Sequence, residues 1–397
     1  MSNIVIELLD ERTIGRNFQV AALGAIRDSL PGNVVSKIRN GIVDGKLLLS
    51  ANDLQYVLNT LATYLNSICG AKTAFPTFYR AGKGDVKILS SAGIPVSSSK
   101  DLCKALVGSV QNIVSNPTRT VDVPMLLRTY VFSKYRTSLD EVRSIETSAT
   151  SLYIAMGGAV ISMIDSFEVR GARKGTKVKK QKRKKEEEVE ERREQYLIPD
   201  GSVTSFDEAS KVYGLVYASN QYRLGQFIRS ILDNLENISF EVAVLVGFMS
   251  YVYFITRFIK QLPSIGPYYG SFEVFRIVSI RPEWRPQVMW ERPLTISAHL
   301  ETLEERCAID ILRLIRNLAS STENVRNQVE AYDDVVSQCI HELYGYMETG
   351  SLDLLTSCAS RALRVLDTLQ SKNICDKYKD VCRNMEIMLT QLSSLVA

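Results

Sequence analysis

Few residue types in this chain could carry covalent or metal chemistry, and their spacing argues against it. The chain has two histidines, His299 and His341, and seven cysteines. Neither histidine stands near a cysteine or carboxylate at metal-ligand spacing, and no C-x-x-C pair occurs, so both read as caps or packed polar groups. Cys375 and Cys382 are seven apart, which puts them on one helix face as packing residues. Phosphate-binding, nucleophile-elbow and H-E-x-x-H motifs are missing, and Ala81-Gly82-Lys83-Gly84-Asp85 is not a phosphate loop. The expectation is a protein that is not an enzyme and needs no cofactor and no metal.

What the sequence does offer is clustered charge and aromatic surface. Ten Lys and Arg lie between Arg170 and Lys185, and six Glu follow between Glu186 and Glu194. The segment has no apolar stripe, so it reads either as an RNA-binding or nuclear-targeting patch or as a solvated linker. The adjoining acidic block favours the linker. A second cluster interleaves Lys72, Arg80, Lys83 and Lys87 with Phe75, Phe78 and Tyr79, which suits phosphate pairing and base stacking. Its alternative is a surface loop pinned by aromatics. A third holds Trp284 and Trp290 with Arg281, Arg285 and Arg292, and serves a protein interface, nucleic-acid stacking or a staple onto its own domain.

The elements that must position these clusters are mostly helices. Of 397 residues, 45% are apolar, enough for a sizeable core, and the net charge is only +4, so basic function must come from clustering. The run Val242–Ile259 is the most apolar stretch and reads as a central buried helix. Its uncharged part falls short of the roughly 20 residues a membrane span needs. Ile4–Leu8 reads as a short strand or extended arm. Helices are expected over Phe18–Leu30, Leu54–Ile68, Ser99–Val114, Val123–Tyr135, Leu139–Ile164 (with Ser138 as cap), Phe206–Tyr217 and Tyr222–Leu235. Turns are expected at Asn40-Gly41 and Asp44-Gly45, and strands at Val86–Leu89 and Phe272–Ile280. From Thr295 onward the pattern is helix after helix, with short antiparallel connections. The fold class is therefore mainly α, two helical lobes with short strands or extended arms: an N-terminal lobe 1–169, a charged linker or exposed loop 170–200, and a C-terminal lobe 201–397. The N-terminus lacks a secretory pattern, and seven cysteines in this arrangement read as reduced thiols.

In length and helical makeup, and in the stretches SLDEVRSIETSATSLYIAMGGAVISMI, QYRLGQFIRSILDNL and 240–262, the chain resembles the nucleocapsid proteins of negative-strand RNA viruses of the plant rhabdovirus and varicosavirus kind. That resemblance implies two lobes clamping single-stranded RNA, arms exchanged between subunits, a virion or host-cytoplasm location (nuclear through 173–185), and a viral polymerase or phosphoprotein among the partners, with no membrane. Arg136, Arg143, Arg223, Arg229, Arg257 and Lys260, which flank the apolar runs, are the candidate groove residues. Ile4, Ile6, Trp284, Arg285 and Trp290 are candidate contacts in a homo-oligomer. The rival reading is a capsid shell or scaffold that assembles through protein contacts without an RNA groove.

Overall fold

A computed structural model describes residues 3–70, 72, 74–77, 84–129, 146–170, 190–217, 224–226, 228–229, 240, 243–245, 247–248, 274–282, 286–294, 330–377 and 379–396. The chain is mainly helical, with short strands. It divides into two compact units, residues 1–220 with 274–294, and residues 221–273 with 295–397.

The first unit is built on α1 (Ile14–Ala25) and α7 (Ala149–Ser162), every residue of which is buried. They pack on each other because Gly158 lets the Phe18 carbonyl of α1 come against the backbone of α7; a methyl there would overlap that oxygen. The Gly157-Gly158 pair thus serves close packing rather than a kink. Around them lie α2 (Gly32–Asp44), α3 (Ala51–Cys69), α4 (Gly84–Ser91), α5 (Leu102–Gly108), α6 (Val110–Ser115) and α8 (Val203–Tyr217). Helix α3 follows its sequence pattern. Ser50 caps it, accepting from the Asp53 amide at 3.1 Å, and Leu54, Val57, Leu58, Leu61, Leu65 and Ile68 are buried at three- and four-residue steps.

Among the described residues, three sheets complete the unit. β1 (Ile4–Glu7) pairs antiparallel with β2 (Lys46–Leu49), so the N-terminal segment is a paired strand. β3 (Thr120–Asp122) pairs with β4 (Glu146–Ser148). The largest is an antiparallel meander of β5 (Met163–Arg170), β6 (Glu190–Pro199), β7 (Phe275–Arg281) and β8 (Gln287–Pro293). Both of its faces carry buried residues, Tyr196, Ile198 and Val278 on one and Leu197, Phe275 and Ile277 on the other.

Several expectations are corrected. Asn40-Gly41 is not a turn: Val34, Ile38 and Ile42 continue one buried stripe straight through it, and the chain reverses at Gly45. Val86–Leu89 is helical within α4. The single helix expected over Ser99–Val114 is broken at Ser109 into α5 and α6. Met125–Arg128 forms only a 3-10 turn, Val123, Pro124 and Thr129 are not helical, and residues 130–135 of the helix expected there lie outside the described residues. The helix placed at Leu139–Ile164 starts at Ala149, because Ser148 caps it by accepting from the Ser151 amide at 3.1 Å. It ends at Ser162, where β5 begins. The linker boundary at 170–200 also gives way, since Arg170 ends β5 and Glu190–Pro199 is β6, both inside the first unit.

In the second unit, α9 (Glu330–Thr349), α10 (Leu352–Ser371), α11 (Ile374–Lys377) and α12 (Lys379–Val396) follow in that order, with short turns between α9 and α10 and between α10 and α11, α9 packing on α10 and α10 on α12. That is the expected order of antiparallel neighbours. Ala243, Val244, Leu245, Gly247 and Phe248 of the apolar run are helical and buried, and the rest of it lies outside the described residues, as do residues 295–329 at the start of the helical succession expected from Thr295.

The reading of the cysteines as free thiols is also corrected. Cys69 pairs with Cys103, Cys339 with Cys358 and Cys375 with Cys382 as disulfides, at Cα–Cα distances of 6.1, 4.8 and 5.7 Å. Seven residues of straight helix would span about 10.5 Å. Cys375 and Cys382 therefore do not lie one above the other on a single helix, and the chain bends between them.

Candidate nucleic-acid interface

β5 and β6 form a hairpin whose last pair in register is Arg170 with Glu190. Their connection, residues 171–189, contains nine Lys and Arg and three Glu. The basic run is thus the tip of a hairpin held by a four-stranded sheet, and half of the acidic block is taken up in the stem. Glu168 stands opposite Arg192 in register, and Glu191 ion-pairs with Arg193 and with Arg281, both at 3.6 Å. Cross-strand pairs of opposite charge contribute about 0.2–1 kcal/mol each. Acid paired in the stem is not available to neutralise the connection, whose nine Lys and Arg outnumber its three Glu.

The stem also holds the second basic cluster. Glu194 is fully buried in β6, and its carboxylate accepts from the Thr77 amide at 3.0 Å and the Tyr196 hydroxyl at 2.6 Å. Burial raises its pKa, against the pull of the Thr77 and Tyr196 hydrogen bonds and of Arg192, whose guanidinium lies 4.0 Å away. Residues 74–77 are thereby fixed to the hairpin, and Phe78, Tyr79, Arg80 and Lys83, which follow directly, lie outside the described residues. Pro76 is buried and Phe75 half-buried, so part of this segment is an anchor.

Lys72 is an anchor too, which corrects its place in the phosphate-pairing set. Helix α7 ends in carbonyls with no partner in the helix. Lys72 Nζ donates to the Met163 carbonyl, the Tyr217 hydroxyl donates to that of Ile161, and Lys72 Nζ lies 5.1 Å from the centre of the Tyr217 ring. Tyr213 reaches the same helix end, its hydroxyl donating to the Leu197 carbonyl at 2.8 Å and sharing a hydrogen bond with Ser162. Burial pushes the Lys72 ammonium down to about 7, against the attraction of Asp165.

Two expected outcomes follow here. The folded chain binds the Lys72 proton less well than the unfolded chain, whose lysine titrates at 10.5. Lys72 therefore contributes a stability that rises with pH from about 7 to 10.5. Urea midpoints measured across that window should climb, and Lys72→Met should flatten the climb. Glu194→Ala leaves the Thr77 amide and the Tyr196 hydroxyl buried without an acceptor, at a cost of about 1–3 kcal/mol for each. Glu194→Gln, which keeps an acceptor, should lose distinctly less in the same urea measurement.

The remaining candidates are distributed as follows. Arg229 is exposed on a helical stretch of the second unit, whereas Arg136, Arg143, Arg223, Arg257 and Lys260 lie outside the described residues. Ile6 is fully buried in β1, so its contacts are with its own chain, and Ile4 is half-buried there; Val5 and Leu48 of that sheet are paired in register and both exposed. Trp290 is half-buried in β8 opposite Ser279, and Trp284 and Arg285 are outside the described residues. Of the two histidines, His341 is exposed on α9 and His299 is outside. The role of Glu194 was missed in the sequence. The signal that existed was the complementary order of charges, Glu168 and Arg170 against Glu190 and Arg192, flanking a loop-forming run. Comparison with protein-family models, with curated proteins and with solved structures finds no match for this chain.

Proposed function

We propose that this chain is a nucleocapsid-type protein that coats single-stranded RNA without sequence preference and assembles with copies of itself. The observation that supports the reading most is the hydrogen bond from the Thr77 amide to the buried Glu194 carboxylate. It ties the chain leading into Phe78-Tyr79-Arg80 to the stem of the hairpin that carries the basic tip. Two basic segments about a hundred residues apart in sequence thus depart from one rigid base, and one of them brings aromatic rings for stacking. Phosphate pairing by Lys and Arg combined with base–aromatic stacking is how single strands are held irrespective of sequence.

On this reading Arg136, Arg143, Arg223, Arg229, Arg257 and Lys260 supply further phosphate contacts, and the partners are RNA, the chain itself, and a viral polymerase or phosphoprotein. The protein resides in the virion and the host cytoplasm.

The test is the nucleic acid that accompanies the purified full chain. A nucleic-acid-like absorbance ratio at 260 and 280 nm that survives nuclease, and is lost when those six residues are changed to Glu, supports the proposal. Protein-only particles of unchanged size, with no retained RNA, overturn it in favour of a shell or scaffold.

A further inference from the structure

We propose that Cys339, Glu342 and Cys358 form a site for one zinc-class divalent cation when the two sulfurs are reduced. Cys339 and Glu342 stand three residues apart on α9, on one face, and Cys358 meets them from α10. The two sulfurs and a Glu342 carboxylate oxygen all lie within 4.8 Å of one another, and both cysteines are fully buried. Round a tetrahedral ion two sulfurs at about 2.3 Å from the metal are about 3.7 Å apart, so the two sulfurs, bonded to each other here, must part on reduction to take up the ion. Gly345 of α9 faces Leu354 of α10, where a methyl would come within 2.9 Å of the end of the leucine side chain.

The carboxylate is already oriented for the task. Glu342 Oε1 accepts from Ser357 Oγ at 2.6 Å and from Arg361 Nε at 3.1 Å, while Oε2 is buried with no hydrogen-bond partner. An orphaned buried carboxylate oxygen is costly, and a cation is one group that satisfies it. Fixing one oxygen through surrounding donors so that the other faces an ion is the usual outer arrangement of metal sites. The charges also balance. Two thiolates and one carboxylate carry −3, a divalent ion brings +2, and the Arg361 guanidinium supplies the last positive charge. Thiolates select a borderline-soft ion such as zinc over calcium or magnesium.

The disulfide between Cys339 and Cys358 and the metal-bound form exclude each other. Two equivalents of a small thiol reduce the disulfide and are themselves joined as a disulfide. The two protein thiols then give up their protons as the cation binds, and solvent water completes the coordination.

The experiment uses the full chain, stripped with a chelator and kept in a phosphine reductant without oxygen. Zinc alone is titrated against a competing dye, and cobalt is added in parallel to read the thiolate-to-cobalt charge-transfer band. One zinc per chain, a cobalt band lost in the Cys339→Ser/Cys358→Ser variant, and affinity weakened about tenfold or more in Glu342→Gln are the expected results. A Cys375→Ser/Cys382→Ser control should bind as the unaltered chain does. The proposal is overturned if the reduced chain binds zinc no better than the Cys339→Ser/Cys358→Ser variant. It is equally overturned if Glu342→Gln binds with unchanged affinity, which would leave a dithiol without its third ligand. Neither readout depends on RNA binding.

Discussion

Replacing Gly158 by Ala should cost the first unit at least about 3 kcal/mol, whereas the same change one residue earlier should cost little. The two glycines are neighbours in α7, and both would gain about 1 kcal/mol of helix propensity from Ala. What separates them is the atom a methyl would meet. At Gly158 it is the Phe18 carbonyl and the backbone that carries it, so α1 as a whole would have to move away from α7. Both helices are buried over their full length, and a displacement there is felt by α3 and α8 as well. Overpacking of cores costs about 1–3 kcal/mol when side chains can yield, and more when the obstacle is backbone. At Gly157 the methyl meets the end of the Leu61 side chain at 3.2 Å, which can rotate aside. Urea unfolding of the two variants, followed by circular dichroism, decides the matter. Equal midpoints for Gly157→Ala and Gly158→Ala would show that α1 and α7 do not meet as described.

The second large effect concerns RNA. Changing Lys179, Lys180, Lys182, Arg183, Lys184 and Lys185 to Gln should reduce the salt dependence of binding far more than any single-site change. On a single strand each phosphate neutralised by the protein contributes about 0.7 to the slope of log affinity against log salt. If all six tip charges pair with phosphate, the slope should become shallower by about 4. The affinity loss should be greatest at low salt, where the released counterions matter most. Fluorescence anisotropy with a labelled oligouridine, repeated across a salt series, reads both quantities. Lys46→Gln, an exposed charge on β2 away from the hairpin, serves as the control and should leave the slope unchanged. A tip variant with unaltered slope and affinity would remove the hairpin from the RNA reading, whatever the fate of the six candidate groove residues.

The sequence by itself determined the helical character of the chain and many of its helix ends. These depend on neighbours within a turn or two: Ser50 capping α3, the three- and four-residue stripe from Leu54 to Ile68, the break at Asn116-Pro117, and the succession of amphipathic helices after Glu330. It misplaced elements whose partners lie far away. Glu190–Gln195 has no apolar alternation, so nothing local marks it as a strand. It is one because β5 and β7 flank it and supply its ladder and its opposite charges. Lys72 reads as a basic surface residue until the open end of α7 is brought to it, and Glu194 as part of an acidic run until Thr77 and Tyr196 close over it. Six cysteines read as scattered thiols until the helices that carry them pack. Capping and amphipathic periodicity are written in consecutive residues, so sequence alone decides them. Burial of a charge, pairing of a strand and approach of two sulfurs are properties of segments that meet only after the chain has closed long loops, so the tertiary structure decided those.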